Sequence, residues 1–310
     1  MKTRGILLQC GLLSAMGCAM MAMSIPTADA ASVLYVANGK NGTISKISST
    51  GSVSTLVSGL QQPYGLAASA NGNFLYVVNS DHPSSGGGYN IDSINVGGGG
   101  VNTITNLSAA QPAALTVDNV GNLYVSLMNG VIDKITTGGV VTQFADMGST
   151  SEPDGLAFGP DGNLYVSNYG TGTIDQVVGN TVNLVVNDSG GPGGLAFDSS
   201  GNLYVANGNT NNVEQITPGG GVSTFATITG EPNFLTFGNG GNLYVTLYTG
   251  GVVDKISSSG VVSTFATGLD GPAGIVALPA PVPASFGLVG IGSLAMIGGL
   301  TLRRRMANIH

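Results

Sequence analysis

The residues best suited to chemistry in this sequence are oxygen donors that recur beside the same short motifs. Asparagines follow four copies of the motif Leu-Tyr-Val-x, at Asn38, Asn79, Asn168 and Asn207. A second group lies near three prolines (Pro153, Pro232 and Pro272) and comprises Glu152, Asp154, Glu231, Asn233 and Asp270. Carboxylate and amide oxygens suit a hard cation such as Ca²⁺ or Mg²⁺. We predict a ligand-binding site built from these residues, with Glu152 and Glu231 as candidate metal ligands.

A purely structural role is the alternative for both groups. An asparagine that ends a strand beside glycine usually bonds locally to the backbone and fixes the turn. A glutamate before a loop proline is usually only solvated. The sequence favours the hydrogen-bonding role for the asparagines and leaves a shared metal site open.

Histidine, the commonest general base, is nearly absent. The two copies are His82, which lies in the glycine-rich stretch from residue 80 to 88, and the terminal His310. A glycine-rich loop holds a catalytic base poorly, so His82 is a weak catalytic candidate and a surface position is favoured. The sequence also contains no serine or cysteine nucleophile motif, no phosphate-binding loop and no zinc-ligand spacing.

The charge balance argues against nucleic acid as a partner. Between residues 31 and 280 there are 15 acidic residues and four lysines, a formal charge of −11. Such a surface repels phosphate backbones. Cations, neutral glycans and other proteins stay open as partners.

A repeat of about 40 residues dominates the sequence. Its unit reads P-x-G-L-A-F, a turn, G-N-L-Y-V-x-N, a second turn, T-I-D-K-I, a third turn and V-V-S-T-F-A. Leu-Tyr-Val begins at Leu34, Leu75, Leu123, Leu164, Leu203 and Leu243, with spacings of 41, 48, 41, 39 and 40 residues. Four strand-like runs in a period near 40 are typical of one β-propeller blade.

The two ends of the repeat array complement each other. The first unit begins at Val33 without a P-x-G-L strand, and the last stretch, from Pro272 to Leu278, is that strand with no unit after it. Joining them removes open sheet edges. We predict an all-β, six-bladed propeller over residues 31–279, in which the N- and C-terminal strands share one blade; seven blades or an open array are the alternatives. The oxygen donors above would then gather around one opening of the ring.

Residues 154–177, DGLAFGPDGNLYVSNYGTGTIDQV, resemble the NHL repeat and the similar repeat of virginiamycin B (streptogramin) lyases. The resemblance extends over about residues 32–279 and implies the propeller fold. It implies a catalytic histidine and Mg²⁺ if the chain is a lyase, whereas the wider superfamily also includes lactonases and plain interaction scaffolds. The chain departs from typical NHL blades at Leu127 and Leu247, where an Asp often follows the second strand.

Both ends of the chain carry envelope-targeting features. Residues 1–30 match a signal peptide, with a basic start, an apolar run and Ala-Asp-Ala before the expected cleavage site. A proline-rich linker (280–285), an apolar segment long enough for a short transmembrane helix (286–302) and a basic tail (303–310) follow the repeats. Together these resemble the PEP-CTERM sorting signal that exosortases process in Gram-negative bacteria; a permanent membrane anchor is the alternative. We expect an exported protein of the cell envelope or outer surface, first held in the inner membrane by the C-terminal segment.

Two functions remain for such a protein. The missing catalytic set and the envelope signals favour a non-enzymatic scaffold that binds an exopolysaccharide or an envelope protein at one opening of the propeller. The alternative is a Ca²⁺- or Mg²⁺-dependent lactonase or streptogramin lyase-like enzyme at the same opening.

Overall fold

In the computed structural model, which describes residues 32–80, 88–107, 110–188 and 190–279, six antiparallel sheets of four strands are present. The sheet that contains both ends of the described chain comprises β1 (Ser32–Asn38), β2 (Thr43–Ile47), β3 (Val53–Val57) and β24 (Pro272–Pro279). The next comprises β4 (Pro63–Ala68), β5 (Phe74–Ser80), β6 (Tyr89–Asn95) and β7 (Val101–Leu107). The third comprises β8 (Pro112–Val117), β9 (Leu123–Leu127), β10 (Val131–Ile135) and β11 (Val141–Asp146).

The remaining three sheets repeat this arrangement. The fourth comprises β12 (Pro153–Phe158), β13 (Leu164–Asn168), β14 (Thr173–Val178) and β15 (Thr181–Asn187). The fifth comprises β16 (Pro192–Phe197), β17 (Leu203–Asn207), β18 (Asn212–Ile216) and β19 (Val222–Thr227). The sixth comprises β20 (Pro232–Phe237), β21 (Leu243–Leu247), β22 (Val252–Ile256) and β23 (Val262–Ala266). Strands are hydrogen-bonded in chain order within each of these sheets.

The first and last strands close the ring. β24 pairs antiparallel with β1, which places Ile275 opposite Val36 and Val276 opposite Tyr35. The innermost strands β4, β8, β12, β16, β20 and β24 each contact the next around a central axis. The prediction of an all-β, six-bladed propeller with one blade shared by both ends is confirmed.

The glycine of the P-x-G motif allows the innermost strands to approach each other. A Cβ at Gly65 would overlap the Ala113 carbonyl oxygen of the next blade, and a Cβ at Gly155 would overlap that of Gly193. A Cβ at Gly274 would meet the Tyr64 carbonyl oxygen in the same way. The narrow axis of the ring therefore accounts for this part of the repeat.

The tyrosine of the Leu-Tyr-Val motif packs between blades. Tyr204 makes an edge-to-face contact with Phe237 of the next blade, with ring centroids 5.1 Å apart, and with Phe225 of its own blade at 4.9 Å. Tyr124 forms the equivalent pair with Phe158. Such pairs add to the burial of apolar surface, because the positive edge of one ring meets the negative face of the other.

A hydroxyl group links three neighbouring pairs of blades. Ser126 Oγ accepts a hydrogen bond from the Ala114 N–H at 2.9 Å and donates to the Asp154 carbonyl oxygen at 3.2 Å. Thr246 Oγ1 donates to the Ala273 carbonyl oxygen at 2.8 Å, between the sixth blade and the first. Ser167 makes the corresponding bond to the Gly193 carbonyl oxygen. These bonds fix the start of the next innermost strand, where the candidate site residues lie.

The predicted signal peptide (1–30), the loop containing His82 and the predicted C-terminal linker, membrane segment and basic tail (280–310) lie outside the described residues. Within the described part of the chain, no helix has the length and apolar character needed to cross a membrane.

Candidate functional site

A cavity of about 590 Å³ opens at the end of the ring where the innermost strands begin. We call it the mouth cavity, and its polar and aromatic lining comprises Lys40, Gln62, Tyr64, Gln111, Asp154, Tyr169, Asn209, Glu231, Asn233 and Tyr248. Its size is within the range of small-molecule sites, and an apolar lining with a few polar groups is typical of them.

Two positions of the repeat supply most of this lining. The residue after the motif proline is the second residue of each innermost strand, and this position contributes Tyr64, Asp154 and Asn233. The turn after the second strand of a blade contributes Lys40, Tyr169, Asn209 and Tyr248. Because six blades meet at the axis, single residues that are far apart in sequence form one continuous wall.

Asp154 places a carboxyl group in the wall of the cavity. Burial alone raises the pKa of its carboxyl to about 7. The neighbouring position on the next blade is Gly193, so no side chain separates the carboxylate from the cavity. A carboxyl that titrates near neutral pH can act as either proton acceptor or proton donor under ordinary conditions.

Tyr64 and Asn233 face Asp154 across the axis. The Tyr64 hydroxyl donates to Asn233 Oδ1 at 3.4 Å, and its ring contacts Phe234 edge-on with centroids 5.4 Å apart. Burial raises the pKa of the Tyr64 phenol well above its usual range, and the negative charge of Asp154 raises it further. Tyr64 therefore stays protonated and can donate a hydrogen bond to a ligand.

The outer part of the cavity carries two more tyrosines. Tyr169 is 46 % exposed and its hydroxyl donates to Asn209 Oδ1 at 3.3 Å. Tyr248 lies beneath Lys40, whose Nζ is 5.0 Å from the ring centroid. These contacts fix the orientation of both rings at the entrance.

Three of the residues predicted from sequence as the ligand-binding set line the mouth cavity, namely Asp154, Glu231 and Asn233. Glu152 and Asp270 are exposed and lie outside this lining. Glu152 also adopts a left-handed backbone conformation with φ of 48°. The structure therefore does not bring Glu152 and Glu231 together in the wall of the cavity.

The four predicted asparagines lie at the same end of the ring, but their side chains are buried inside the blades. Asn38 Nδ2 donates to Ser45 Oγ at 2.8 Å, and Asn168 Nδ2 donates to Asp175 Oδ2 at 2.8 Å. Asn79 Nδ2 donates to Asp92 Oδ2 at 3.0 Å. These three fix strand ends, as the structural alternative predicted, although their partners are side chains of the third strand. Asn207 is fully buried as well.

Metal ligands are scarce around the cavity. Both histidines lie outside the described residues, and within the described part no three His, Cys, Asp or Glu side chains form a group that could hold a metal ion. Asp154 and Glu231 are the carboxylates in the lining. This donor set does not fit the histidine-containing Mg²⁺ site that the lyase resemblance implies.

The sequence contained a signal for the missed residues Tyr64, Tyr169, Tyr248, Gln62 and Gln111. All five lie where the repeat units differ most from one another, at the residues before and after the motif proline or directly after the second strand. Invariant positions build the blades, whereas variable positions at the axis face the cavity. Comparing the units for variation would have found these residues.

The sequence matches the model of the virginiamycin B lyase family over residues 108–282, which is more than half of the chain. The chain belongs to the virginiamycin B lyase family. The match covers blades three to six and the closing strand β24. No curated protein matches the sequence.

Solved structures of the virginiamycin B lyase family share the architecture. Virginiamycin B lyase from Staphylococcus aureus is 21 % identical, with 66 % of this chain and 69 % of that chain covered and a TM-score of 0.53. A streptogramin B lyase structure is 18 % identical, with coverages of 76 % and 73 % and a TM-score of 0.54. A chain of the nidogen–laminin complex is 20 % identical, with coverages of 79 % and 98 % and a TM-score of 0.70. At these identities the likeness establishes the fold alone.

Proposed function

We propose that this protein is a non-enzymatic, exported propeller that binds a glycan in the mouth cavity. The observation that carries the proposal is the combination of three tyrosines, Tyr64, Tyr169 and Tyr248, with side-chain amides in one cavity. Tyrosine offers an apolar ring face together with a hydroxyl group. Sugar rings present C–H faces that pack on such rings, and hydroxyl groups that exchange hydrogen bonds with amides.

The side-chain amides of the cavity can exchange hydrogen bonds with sugar hydroxyl groups. Gln111, Asn209 and Asn233 line the same wall as the tyrosines. The acidic surface also matches a neutral or cationic polysaccharide better than an anionic one. The cavity opens at one end of the ring, so a chain end or a protruding branch could enter it.

Binding of oligosaccharides released from the producing cell's exopolysaccharide tests this proposal. We expect the full-length protein to bind them by calorimetry, and Tyr169→Ala to weaken binding at least tenfold, because it removes an aromatic face at the entrance. Leu184→Ala, a change at a 58 % exposed side chain of β15, is the matched control and should leave affinity unchanged. If the protein binds no glycan and instead captures one envelope protein, the glycan proposal is wrong and the ligand of the mouth cavity is a protein.

A lyase-type reaction is the second candidate, favoured by family membership and by Asp154. In an elimination, a base removes a proton from carbon while the leaving group departs. The Asp154 carboxylate, with a pKa raised to about 7 by burial, could accept this proton, and the protonated Tyr64 hydroxyl could bond to the leaving oxygen. This candidate needs no histidine.

Quinupristin is a suitable probe, since it is the compound bound in a structure of S. aureus virginiamycin B lyase. If the second candidate holds, the wild type consumes quinupristin and Asp154→Asn lowers the rate at least ~100-fold, the usual contribution of a general base. Asp270→Asn, at an exposed carboxylate outside the cavity, should retain the rate. No consumption by the wild type, or equal consumption by Asp154→Asn, would contradict it.

The envelope location is part of the proposal. The signal-peptide pattern of residues 1–30 and the PEP-CTERM-like residues 280–310 support export and processing by an exosortase-type enzyme. Cell fractionation with antibodies to both ends tests this. A mature protein that lacks both ends supports processing, one that keeps residues 280–310 in the membrane supports a permanent anchor, and a full-length cytoplasmic protein would contradict export.

A further inference from the structure

A buried carboxylate occupies an apolar position of the repeat in one blade junction. The Asp188 N–H bonds to the Gly172 carbonyl oxygen after β15, and the same bond is made in other blades by Leu60, Met147, Ile228 and Leu269. Asp188 is only 5 % exposed. Its Oδ1 accepts the Gly190 N–H at 2.9 Å, and its Oδ2 has no hydrogen-bond partner among the described residues.

The neighbouring strand end differs from its counterparts as well. In two other blades an asparagine at this position donates to an aspartate of the third strand, as Asn79 does to Asp92 and Asn168 to Asp175. In the fifth blade the matching pair is Asn207 and Glu214, and the glutamate is one methylene longer. Asn207 is fully buried, and neither of its amide atoms has a hydrogen bond of normal geometry to the described residues.

Asp188, Asn207 and Glu214 lie together, and we call them the Asp188 cluster. The Asn207 amide packs against Gly190, whose N–H binds Asp188, so closely that a Cβ at Gly190 would lie 2.7 Å from Asn207 Nδ2. Burial raises the pKa of the Glu214 carboxyl, and the nearby Asp188 carboxylate raises it further, while contacts with Asn212 and Asn207 lower it in part. Two carboxylates and the buried Asn207 amide therefore share one corner, in which Asp188 Oδ2 has no hydrogen-bond partner among the described residues.

Burial of such groups is unfavourable unless a partner compensates them. An unpartnered buried polar group destabilises a fold, and two neighbouring carboxylates also repel each other. Hard divalent cations bind carboxylate and amide oxygens, and Ca²⁺ tolerates irregular sets completed by backbone oxygens and water. Asp188 Oδ2, the Glu214 carboxylate and Asn207 Oδ1 are the oxygens that this corner offers to such a cation.

We propose that the Asp188 cluster binds a divalent cation, Ca²⁺ in preference to Mg²⁺, which joins the fourth and fifth blades. This is a structural site inside the wall of the propeller and is separate from the mouth cavity. Asp188, Asn207 and Glu214 are absent from the lining of that cavity. The proposal therefore stands whatever ligand the cavity binds.

Thermal unfolding of the EDTA-treated full-length protein with added Ca²⁺ or Mg²⁺ tests the proposal. We expect 1 mM Ca²⁺ to raise Tm by about 5 °C, the shift for a site filled at about 100 times its Kd, and Mg²⁺ to raise it less. Elemental analysis after desalting should give one calcium per chain. Asp188→Leu should abolish the Tm response, and it should fold because leucine occupies the matching position at Leu60 and Leu269.

Two further variants show whether the Ca²⁺ response comes from the Asp188 cluster. Glu214→Gln keeps size and should raise the Ca²⁺ concentration at half-response at least tenfold. Glu231→Gln, in the mouth cavity, should leave the response unchanged. The proposal is overturned if Ca²⁺ leaves the wild-type Tm unchanged, if Asp188→Leu keeps the full response, or if Glu231→Gln abolishes it.

Discussion

Asp154 shows how one position in the repeat can place a carboxyl group in the mouth cavity at the expense of stability. It is the second residue of an innermost strand, and the corresponding residues in the neighbouring blades are Ala113 and Gly193. Burial raises the pKa of its carboxyl to about 7, so the folded protein disfavours the ionised form. A repeat built only for stability would place a small neutral residue here.

The change Asp154→Asn should therefore stabilise the fold in a pH-dependent manner. Well below pH 3.8 the carboxyl is protonated in both the folded and the unfolded state, and wild type and variant should be alike. As pH rises towards about 7, only the unfolded chain loses the proton, so wild-type stability falls while that of the variant does not. The shift in the Asp154 pKa corresponds to at most about 4 kcal/mol of stability. Water in the cavity screens the carboxylate, so we expect Asp154→Asn to be more stable than wild type by about 2 kcal/mol above pH 7.

Urea unfolding of both proteins at pH 4.5 and pH 8 measures this difference. Asp270→Asn, at an exposed carboxylate, is the control and should show no such pH dependence. Equal stability of Asp154→Asn and wild type at pH 8 would show that the carboxylate is fully solvated.

The sequence predicted the site only in part, for a physical reason. The motif prolines led to the prediction that Asp154, Glu231 and Asn233 lie at one opening, and the structure places all three in the lining of the mouth cavity. Whether a side chain at a strand end points to the axis or into the blade depends on local bulges in the sheet, and each pairing of an innermost strand with its neighbour contains an irregularity near the proline, as between Pro153 and Leu156. Residue type alone could not show that the Asn38 and Asn168 side chains point into their blades, whereas Tyr169 lines the cavity.

At the scale of the strand and the blade, the Leu-Tyr-Val motif couples neighbouring sheets. Leu203 and Val205 fill the interior, while Tyr204 contacts rings on both its own blade and the next. The Tyr204 hydroxyl also donates to Asp198 Oδ2 at 3.3 Å and accepts from Gln215 Nε2 at 2.6 Å. One side chain thus joins the core to a turn.

Replacing Tyr204 separates these two contributions. Tyr204→Leu loses the ring contacts and should destabilise the protein by about 2–4 kcal/mol, a value typical of large core truncations. Tyr204→Phe keeps the rings, loses only the hydroxyl bonds and should cost about 1 kcal/mol. Chemical denaturation gives both values. Equal losses in the two variants would mean that Tyr204 stabilises the protein through its hydroxyl bonds within the fifth blade, and not through ring packing between blades.

The strand pattern was readable because each element repeats six times. Period-two alternation, Gly-Asn turns and a constant spacing near 40 residues predicted both the number of blades and their internal order, and the pairing of Leu164 with Val177 and of Leu203 with Ile216 follows the same register. Residues that depart from the repeat, such as Asp188 and Glu214, could not be recognised as a cluster from the sequence, because only the folded structure brings them together.

For the whole molecule, closure by β1 and β24 makes stability a property of the ring. Ile275 in β24 is 4 % exposed and lies opposite Val36, although it is close to the end of the propeller sequence. Terminal residues of most domains tolerate change, whereas these pair the last strand with the first and so complete the first blade. Damage at this junction opens two sheet edges at once.

Ile275→Asp should therefore destabilise the entire propeller. We expect a loss of at least about 3 kcal/mol, because the change buries an unpaired carboxylate at the closing junction. Val261→Asp, at a position that is 65 % exposed, is the matched control and should alter stability by less than about 0.5 kcal/mol. Tyrosine fluorescence and circular dichroism should report one common transition in the wild type. A loss confined to one probe would instead indicate that the blades unfold independently.

The pairing of β1 with β24 also sets an order of events during synthesis. β1 emerges from the ribosome first but cannot complete its sheet until Pro272–Pro279 has been made. Earlier blades can form as they appear, because their strands are local in sequence, yet the growing arc keeps a bare β1 edge throughout translation. Completion of this fold therefore waits for the last strand, and the incomplete arc is the species that a chaperone would have to protect.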